Sequence, residues 1–197
     1  MRFGPFPESD CFLIEQSQTY QNIRQRVRMA EFALIRYPES NKNPVKLYSV
    51  EAKSSSPRPK TQPNFANFIE EIQAKLTNAL DLTIATCLKR HSTWEELPKS
   101  FKTLDWQNVR FVLILVIQGH EKDWLPDLQD ALNYALQSTR QIWGGSVKSD
   151  VLVLNDQFAQ KHGLITPPKP KNVNSIGNLT KSDRRVSETS PQLTAPR

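Results

Sequence analysis

Two segments with β-strand character stand close together in the first part of the chain. They run from Ala30 to Ile35 and from Leu47 to Lys53, and the residues between positions 38 and 44 include Pro, Ser and Asn. These residue types favour turns, so the two segments are predicted to pair as an antiparallel hairpin. The fold must therefore contain a β-sheet that begins early in the chain.

The charged side chains of this hairpin are predicted to converge on one face of the sheet. Glu51 and Lys53 are two residues apart, and side chains at that spacing on a strand point to the same face. If Tyr37 pairs with about Val45, then Glu31 lies opposite Glu51 or a residue or two beyond. Two carboxylates beside an ammonium group can hold a divalent cation next to a polarising lysine.

The remainder of the chain alternates helical and strand patterns. Three prolines between positions 57 and 63 predict an extended connection, which leads into a long helix from about Asn64. A buried strand is predicted at Arg110–Gln118, a second helix from about Asp123, and a last strand at Val151–Leu154. The segment from Cys11 to Tyr20 fits either a strand or a helix. This order predicts an α/β (α+β) fold with a mixed sheet flanked by helices.

The two helices are predicted to pack through stripes of apolar residues at helical spacing. Asp123 is the expected N-cap of the second helix, and Pro126 lies in its first turn. The inner face of the first helix is expected to comprise Phe65, Phe68, Ile69, Ile72, Leu76, Ala79, Leu80, Thr83, Ile84, Cys87 and Leu88. That of the second is expected to comprise Leu125, Leu128, Leu132, Ala135, Leu136, Ile142 and Trp143.

An acidic residue on one strand, Glu-x-Lys on the next strand and then a long helix together resemble the PD-(D/E)XK nuclease superfamily. The resemblance covers roughly residues 11–117 and extends to bacterial members that have no assigned role. Glu31 stands in the place of the usual Asp, Glu51 is the second acid and Lys53 is the lysine. The Pro-Asp pair typical of the superfamily is absent, because Glu31 follows Ala30. The resemblance implies a restriction-endonuclease-like fold.

The resemblance also implies a catalytic chemistry. Glu31 and Glu51 would bind Mg²⁺ or Mn²⁺, the backbone carbonyl of Ala52 would complete the coordination, and Lys53 would orient the attacking water. Glu15 is either a further acid on the metal side or a surface carboxylate. The expected substrate is a nucleic-acid phosphodiester, with DNA favoured over RNA.

Other interpretations of the same residues stay open. Gln73 lies at the edge of the long helix's apolar stripe. It either reaches the active site or is a boundary glutamine; in such nucleases a polar residue of that helix often reaches the active site. Glu51 and Lys53 could form an ordinary cross-strand pair on a surface hairpin. The fold could also be a catalytically inactive module that binds nucleic acid or a protein partner, and a homodimer is compatible with either function.

Positive charge is concentrated around the proposed site and at the C-terminal end. Residues 24–60 contain nine Lys or Arg against three Asp or Glu, and residues 166–197 contain six against two, so the rest of the chain is acidic. Such a patch can contact a phosphate backbone. The candidate nucleic-acid contacts are Arg24, Arg26, Arg28, Arg58 and Lys60.

Composition predicts one folded domain over residues 1–165, followed by a disordered basic tail over residues 166–197. The tail has five prolines and no aromatic residue, so it has little apolar surface to bury. The two cysteines do not have zinc-site spacing, and the strongest apolar run, Phe111–Ile117, is too short to span a bilayer. The N-terminus lacks a signal-peptide core, so the protein is expected in the cytoplasm without a membrane partner.

Removal of Thr166–Arg197 should leave the melting temperature almost unchanged, because the segment has no apolar periodicity with which to pack. It should weaken nucleic-acid binding and flatten its salt dependence, since six basic residues are lost against two acidic ones. Thermal denaturation and binding at several salt concentrations test this. A drop of many degrees would place the domain boundary further along the chain.

Overall fold

A five-stranded mixed sheet lies at the centre of the computed structural model, which describes residues 1–38, 44–144 and 150–166. Its strands lie side by side in chain order. The first three pair antiparallel, whereas the third, fourth and fifth run parallel. They are β1 (Cys11–Phe12), β2 (Phe32–Arg36), β3 (Val45–Lys53), β4 (Val109–Ile117) and β5 (Val151–Asn155). The predicted α/β class with a mixed sheet is confirmed.

Helices flank this sheet. Those of the described residues are α1 (Gln18–Gln21), α2 (Asn64–Cys87), α3 (Lys99–Lys102), α4 (Leu125–Ala135), α5 (Gln137–Ile142) and α6 (Asp156–Lys161). In the segment 11–20, where strand and helix were both open, the chain forms β1, a 3-10 turn at Ile14–Gln16 and the start of α1. None of these helices combines the length and apolar character needed to cross a membrane.

The hairpin has the predicted register. Phe32 pairs with Val50, and the pairing continues without a bulge along all of β2. One further step in this register places Glu31 opposite Glu51. Most of the predicted turn, residues 39–43, lies outside the described residues, as does the proposed tail beyond Thr166.

Alternate residues of β3 belong to two apolar clusters, one on each face of the sheet. Leu47 belongs to the cluster that includes the buried residues of α2, whereas Tyr48 and Val50 belong to the cluster on the opposite face of the sheet. That second face is covered partly by α6 and partly by the chain termini of the domain, where Phe3 pairs with Ile165. Both faces of the sheet are therefore closed, as parallel strands require.

Helix α2 provides the crossover between the parallel strands β3 and β4. Its predicted apolar face is largely confirmed: the buried residues include Phe65, Ile69, Ile72, Leu76, Ala79, Leu80, Thr83 and Ile84, and the predicted Phe68 and Cys87 are partly buried against the core. Leu82 and Thr86 are buried as well, although they were not predicted. Leu88 is the exception, because it follows the last helical residue and is 63% exposed. The long buried stripe fixes which side of α2 faces the sheet.

The prediction of one continuous second helix capped by Asp123 is wrong. Lys122–Trp124 forms a 3-10 turn, α4 begins after it, and Asp123 does not cap the helix, although Pro126 does lie in its first turn. The buried Leu136 leaves helical geometry with a ψ of 8°, which separates α4 from α5. Ile142 therefore does not continue the inner face and is 77% exposed. Trp143, which was also predicted to be on that face, is 36% exposed.

Candidate functional site

Glu51 and Lys53 lie near the C-terminal end of β3, on the face of the sheet that α2 covers. The two-residue spacing puts them on one face, as predicted. Glu51 is 0% exposed, which is unusual for a carboxylate because burial removes its hydration. Its surroundings must therefore supply compensating interactions.

Two lysines approach the same oxygen of Glu51. Lys75 Nζ donates to Glu51 Oε1 at 2.9 Å, and Lys53 Nζ lies 3.2 Å from that oxygen. The other oxygen, Oε2, is buried and has no hydrogen-bond partner among the described residues. Burial raises the pKa of Glu51 above its ordinary value, and the two lysines only partly offset this effect.

Lys53 is held between two carboxylates. Besides Glu51, it donates from Nζ to Oε1 of Glu71 on α2 at 2.7 Å. Burial lowers the pKa of Lys53, but the bond to Glu71 and the charge of Glu51 together outweigh burial and raise it. The hydrogen bond with Lys53 lowers the pKa of Glu71. The ammonium group of Lys53 is thereby fixed in place and kept charged.

Lys75 reaches the cluster from the next turn of α2. Glu71 and Lys75 are four residues apart, so they lie on one side of the helix. In addition to its bond with Glu51, Lys75 Nζ lies 3.8 Å from Glu15 Oε1. The Lys75 side chain is 16% exposed, whereas that of Glu15 is 40% exposed. Lys75 thus connects the buried acid to one at the protein surface.

Glu31 and Glu15 form the outer part of the cluster. Glu31 is the residue before β2, and its carbonyl accepts a 3.4 Å hydrogen bond from the amide of Glu15. Burial raises the pKa of Glu31, and the nearby charge of Glu15 raises it further. Glu15 was expected to be either a further acid on the metal side or a surface carboxylate. The structure places it beside the other acids, with a side chain that is partly exposed.

The cluster contains more negative than positive charge. It comprises the carboxylates of Glu15, Glu31, Glu51 and Glu71 and the ammonium groups of Lys53 and Lys75. Four carboxylates outnumber the two ammonium groups, although the raised pKa values of Glu31 and Glu51 favour their neutral forms and Arg28 adds a positive charge near Glu71. The cluster can therefore accept further positive charge.

The donor chemistry matches a hard divalent cation, although the ligands are not gathered around one point. Carboxylate oxygens are what Mg²⁺ and Mn²⁺ prefer, and Glu51 Oε2 is an unused buried oxygen. Among the residues that the structure describes, no group of three or more His, Cys, Asp or Glu is arranged to hold a metal ion. Ala52, whose carbonyl was expected as a ligand, lies in β3 next to Glu51 and opposite Val116 of β4.

Sequence reasoning brought together Glu31, Glu51 and Lys53 but missed the contribution of α2. Gln73 does not lie with the cluster; it lines a separate groove towards α4 and α5 together with Tyr134. Glu71 and Lys75 reach the site instead. Their four-residue spacing on a flank of the apolar stripe is the signal that could have indicated them.

The five basic residues proposed to contact nucleic acid are dispersed around the site. Arg28 shares a groove with Glu71. The guanidinium of Arg58 stacks over the Trp124 ring at 3.5 Å. Arg24 donates a hydrogen bond to Gln21, and its side chain is exposed, as are those of Arg26 and Lys60. Arg28 is thus the one with a described groove in common with the cluster.

A cleft of about 400 Å³ opens beside the outer acids. Glu15 and Glu31 form part of its wall, and aromatic side chains including Phe3 and Phe6 form another part. The cleft reaches the two outer acids, whereas Glu51, Lys53, Glu71 and Lys75 do not line it. It therefore borders the cluster on the side of Glu15 and Glu31 only.

Comparison of the chain with protein-family models, with curated proteins and with solved structures gave no match. The functional argument therefore depends on the residues and the geometry described above.

The raised pKa of Glu51 predicts a pH-dependent effect of Glu51→Gln. Between the ordinary value of 4.5 and the raised pKa, the folded state keeps a proton that the unfolded chain has lost, so the free energy of unfolding falls as pH rises. Glu51→Gln removes this fall. Its unfolding free energy, relative to wild type, should increase as pH rises above about 4.5, as measured by urea denaturation.

Glu71→Gln is the matched control for this experiment because the pKa of Glu71 is lowered from 4.5. Its stabilising contribution is present above that value and is lost as pH falls through the lowered pKa. The stability difference between Glu71→Gln and wild type should therefore be constant above about pH 4.5. A constant difference for Glu51→Gln over the same range would contradict the assignment.

Proposed function

We propose that this protein is a metal-dependent nuclease that hydrolyses phosphodiester bonds of nucleic acid, with DNA favoured over RNA. The observation that supports this most is the buried Glu51, whose Oε2 has no hydrogen-bond partner within the described part of the chain and whose Oε1 is next to the Lys53 ammonium. An acid and a lysine fixed side by side, with an unused oxygen, are the elements needed to bind a cation and polarise a phosphate.

The order of elements supports a restriction-endonuclease-like fold. The acid-bearing hairpin β2–β3 is followed by α2, which packs on the sheet and leads to β4 parallel to β3. The superfamily core has the same order around its lysine strand, as the resemblance implies. Order alone occurs in many folds, so the polar cluster on β3 is the more specific support.

The proposed mechanism assigns separate tasks to the side chains. Glu51, Glu31 and Glu15 would hold the cation, with the Ala52 carbonyl as a further ligand. A bound Mg²⁺ or Mn²⁺ would lower the pKa of a coordinated water molecule and neutralise charge on the scissile phosphate. Lys53, fixed by Glu51 and Glu71, donates a hydrogen bond to the attacking water or to the phosphate oxygen on which charge develops.

Substrate binding is assigned to the basic residues near the cluster. Arg28 shares a groove with Glu71, so it can contact a phosphate next to the one that is cleaved. Arg58 is positioned by its stacking on Trp124 and would contact the backbone farther away. Phosphate contacts of this kind orient a strand without selecting its sequence.

A catalytically inactive module that binds nucleic acid or a protein partner is the alternative. It is favoured by one observation: within the described part of the chain, the acids are paired with lysines and not arranged as a metal-ligand group. The two functions differ in what Glu51 is needed for. A binding module tolerates the loss of its charge, whereas the nuclease does not.

The proposal predicts stabilisation by divalent cations. Mg²⁺ or Mn²⁺ should raise the melting temperature, because a ligand that binds only the folded state stabilises it. The double substitution Glu31→Gln with Glu51→Gln should abolish this increment. A control with the same change of charge, Glu95→Gln with Glu121→Gln, alters two exposed acids outside the cluster and should keep it. An equal increment in both double variants would place the cation elsewhere.

The proposal also predicts metal-dependent cleavage that is lost in two single variants. Glu51→Gln removes a metal ligand and Lys53→Ala removes the polarising cation, and each should reduce the cleavage rate by on the order of 10²–10³. Circular dichroism should show an intact fold. Only Lys53→Ala should retain stabilisation by Mg²⁺, and the exposed control Lys99→Ala should retain full activity.

The assay uses supercoiled, linear and single-stranded DNA, and RNA, each with and without Mg²⁺ or Mn²⁺. Wild-type protein that binds DNA but cuts no substrate with either ion would establish the binding module instead. Cleavage at equal rates by wild type and both variants would exclude Glu51 and Lys53 as the catalytic pair.

A further inference from the structure

The two lysines at Glu51 have different surroundings. Lys53 has a second acidic partner, Glu71, whose oxygen is closer to its ammonium, at 2.7 Å, than that of Glu51, at 3.2 Å. Among the described residues, the ion pairs of Lys75 are with two acids proposed as metal ligands: Glu51 at 2.9 Å and Glu15 at 3.8 Å. The ammonium of Lys75 therefore occupies the space between these ligands.

The electrostatic influence of Lys75 extends to the third proposed ligand. Burial raises the pKa of Glu31, and of the two lysines that counteract this, Lys75 has the larger effect. Lys75 also has a larger lowering effect than Lys53 on the pKa of the buried Glu51. One ammonium thus acts on the three carboxylates that the proposed function assigns to the cation, and more weakly on Glu71.

We infer that Lys75 is an internal counter-ion, whose ammonium takes the place of the divalent cation at Glu51 and withdraws when the cation binds. This inference rests on the proposed metal site. Its basis is the shared ligand set: a cation bound by Glu51, Glu31 and Glu15 and an ammonium located among them would repel each other at short range. The unused Glu51 Oε2 is the oxygen that can take a first contact before Lys75 leaves Oε1.

The lysine side chain is suited to such a movement. Its ammonium is at the end of a flexible four-carbon stem that can rotate outward to solvent. The Lys75 side chain is 16% exposed and that of Lys53 is 25% exposed, so the two lysines differ in their partners and not in their access to solvent. Lys53 lacks this freedom because Glu71 holds it from the other side. The two lysines therefore have separate roles: Lys53 stays to polarise and Lys75 gives way.

The role of Lys75 as an internal counter-ion has two measurable consequences. Without a cation, Lys75 limits repulsion among the acids and so stabilises the fold. A cation can bind only to molecules in which Lys75 has withdrawn. The apparent dissociation constant is therefore the intrinsic one divided by the fraction of such molecules. If that arrangement is populated about one time in ten, the apparent dissociation constant is raised about tenfold.

The test compares Lys75→Met with Lys53→Met in the full chain. Both remove one ammonium group next to Glu51 and keep an unbranched side chain, so they change the net charge equally. Mn²⁺ binding is measured by the electron paramagnetic resonance of the free ion, and the metal-free melting temperature by thermal denaturation. Lys75→Met should bind Mn²⁺ about tenfold more tightly than wild type and melt at a lower temperature without metal. Lys53→Met should show a smaller gain in affinity.

A second measurement uses wild-type protein, so it does not depend on the folding of a variant. The lysine side-chain ammonium signals are followed by ¹⁵N nuclear magnetic resonance during titration with Mg²⁺. The Lys75 ammonium should be protected from exchange without Mg²⁺ and lose this protection as Mg²⁺ is added. The Lys53 signal should remain protected, because Glu71 continues to accept its hydrogen bond.

Three results would overturn the inference: equal Mn²⁺ affinity in wild type and Lys75→Met, an equal gain in both lysine variants, or a Lys75 signal that Mg²⁺ leaves unchanged. The proposed nuclease function survives each of these if wild type binds Mn²⁺ and cleaves DNA. Absence of Mn²⁺ binding by wild type would overturn the inference and the metal-dependent function together.

Discussion

The burial of the Glu51 carboxylate is the constraint on which the rest of the site depends. An ionised group without solvent exposure must be paired or it shifts towards its neutral form, and both effects are present at Glu51. Its two lysines come from different elements, Lys53 from β3 and Lys75 from α2. Apolar packing sets the position of α2 against β3. The same position brings Lys75 to the buried carboxylate of Glu51, which needs a positively charged partner.

Much of the sheet followed from local rules. The hairpin register was predictable because alternation along β3 and the length of the connection leave few ways to pair Glu31 with Glu51. Helix α2 was predictable because its apolar period is sustained for many turns. The break between α4 and α5 was not, because Leu136 satisfies the helical period as a buried residue while its backbone departs from helical geometry.

The part of the site that the sequence did not reveal comes from contacts between separate elements. Lys53 and Glu71 are 18 residues apart, and Glu51 and Lys75 are 24 apart. Gln73 and Lys75 are both polar residues near the buried stripe of α2, so the pattern alone does not tell which of them faces the sheet edge. The rotation of α2, fixed by buried residues such as Leu76, turns Lys75 to the acids and Gln73 to the groove at α4.

The charge balance of the cluster supports the proposed function over a purely structural role. A network that served only stability would pair its charges, and buried ion pairs can often be replaced by apolar residues at no loss of stability. Here four acids accompany two lysines, and Glu51, the most deeply buried of the four, has one oxygen without a hydrogen-bond partner among the residues that the structure describes. Fold stability does not require this excess of negative charge. The proposed divalent cation would account for this excess, and under the same proposal the ammonium of Lys75 offsets part of it before the cation binds.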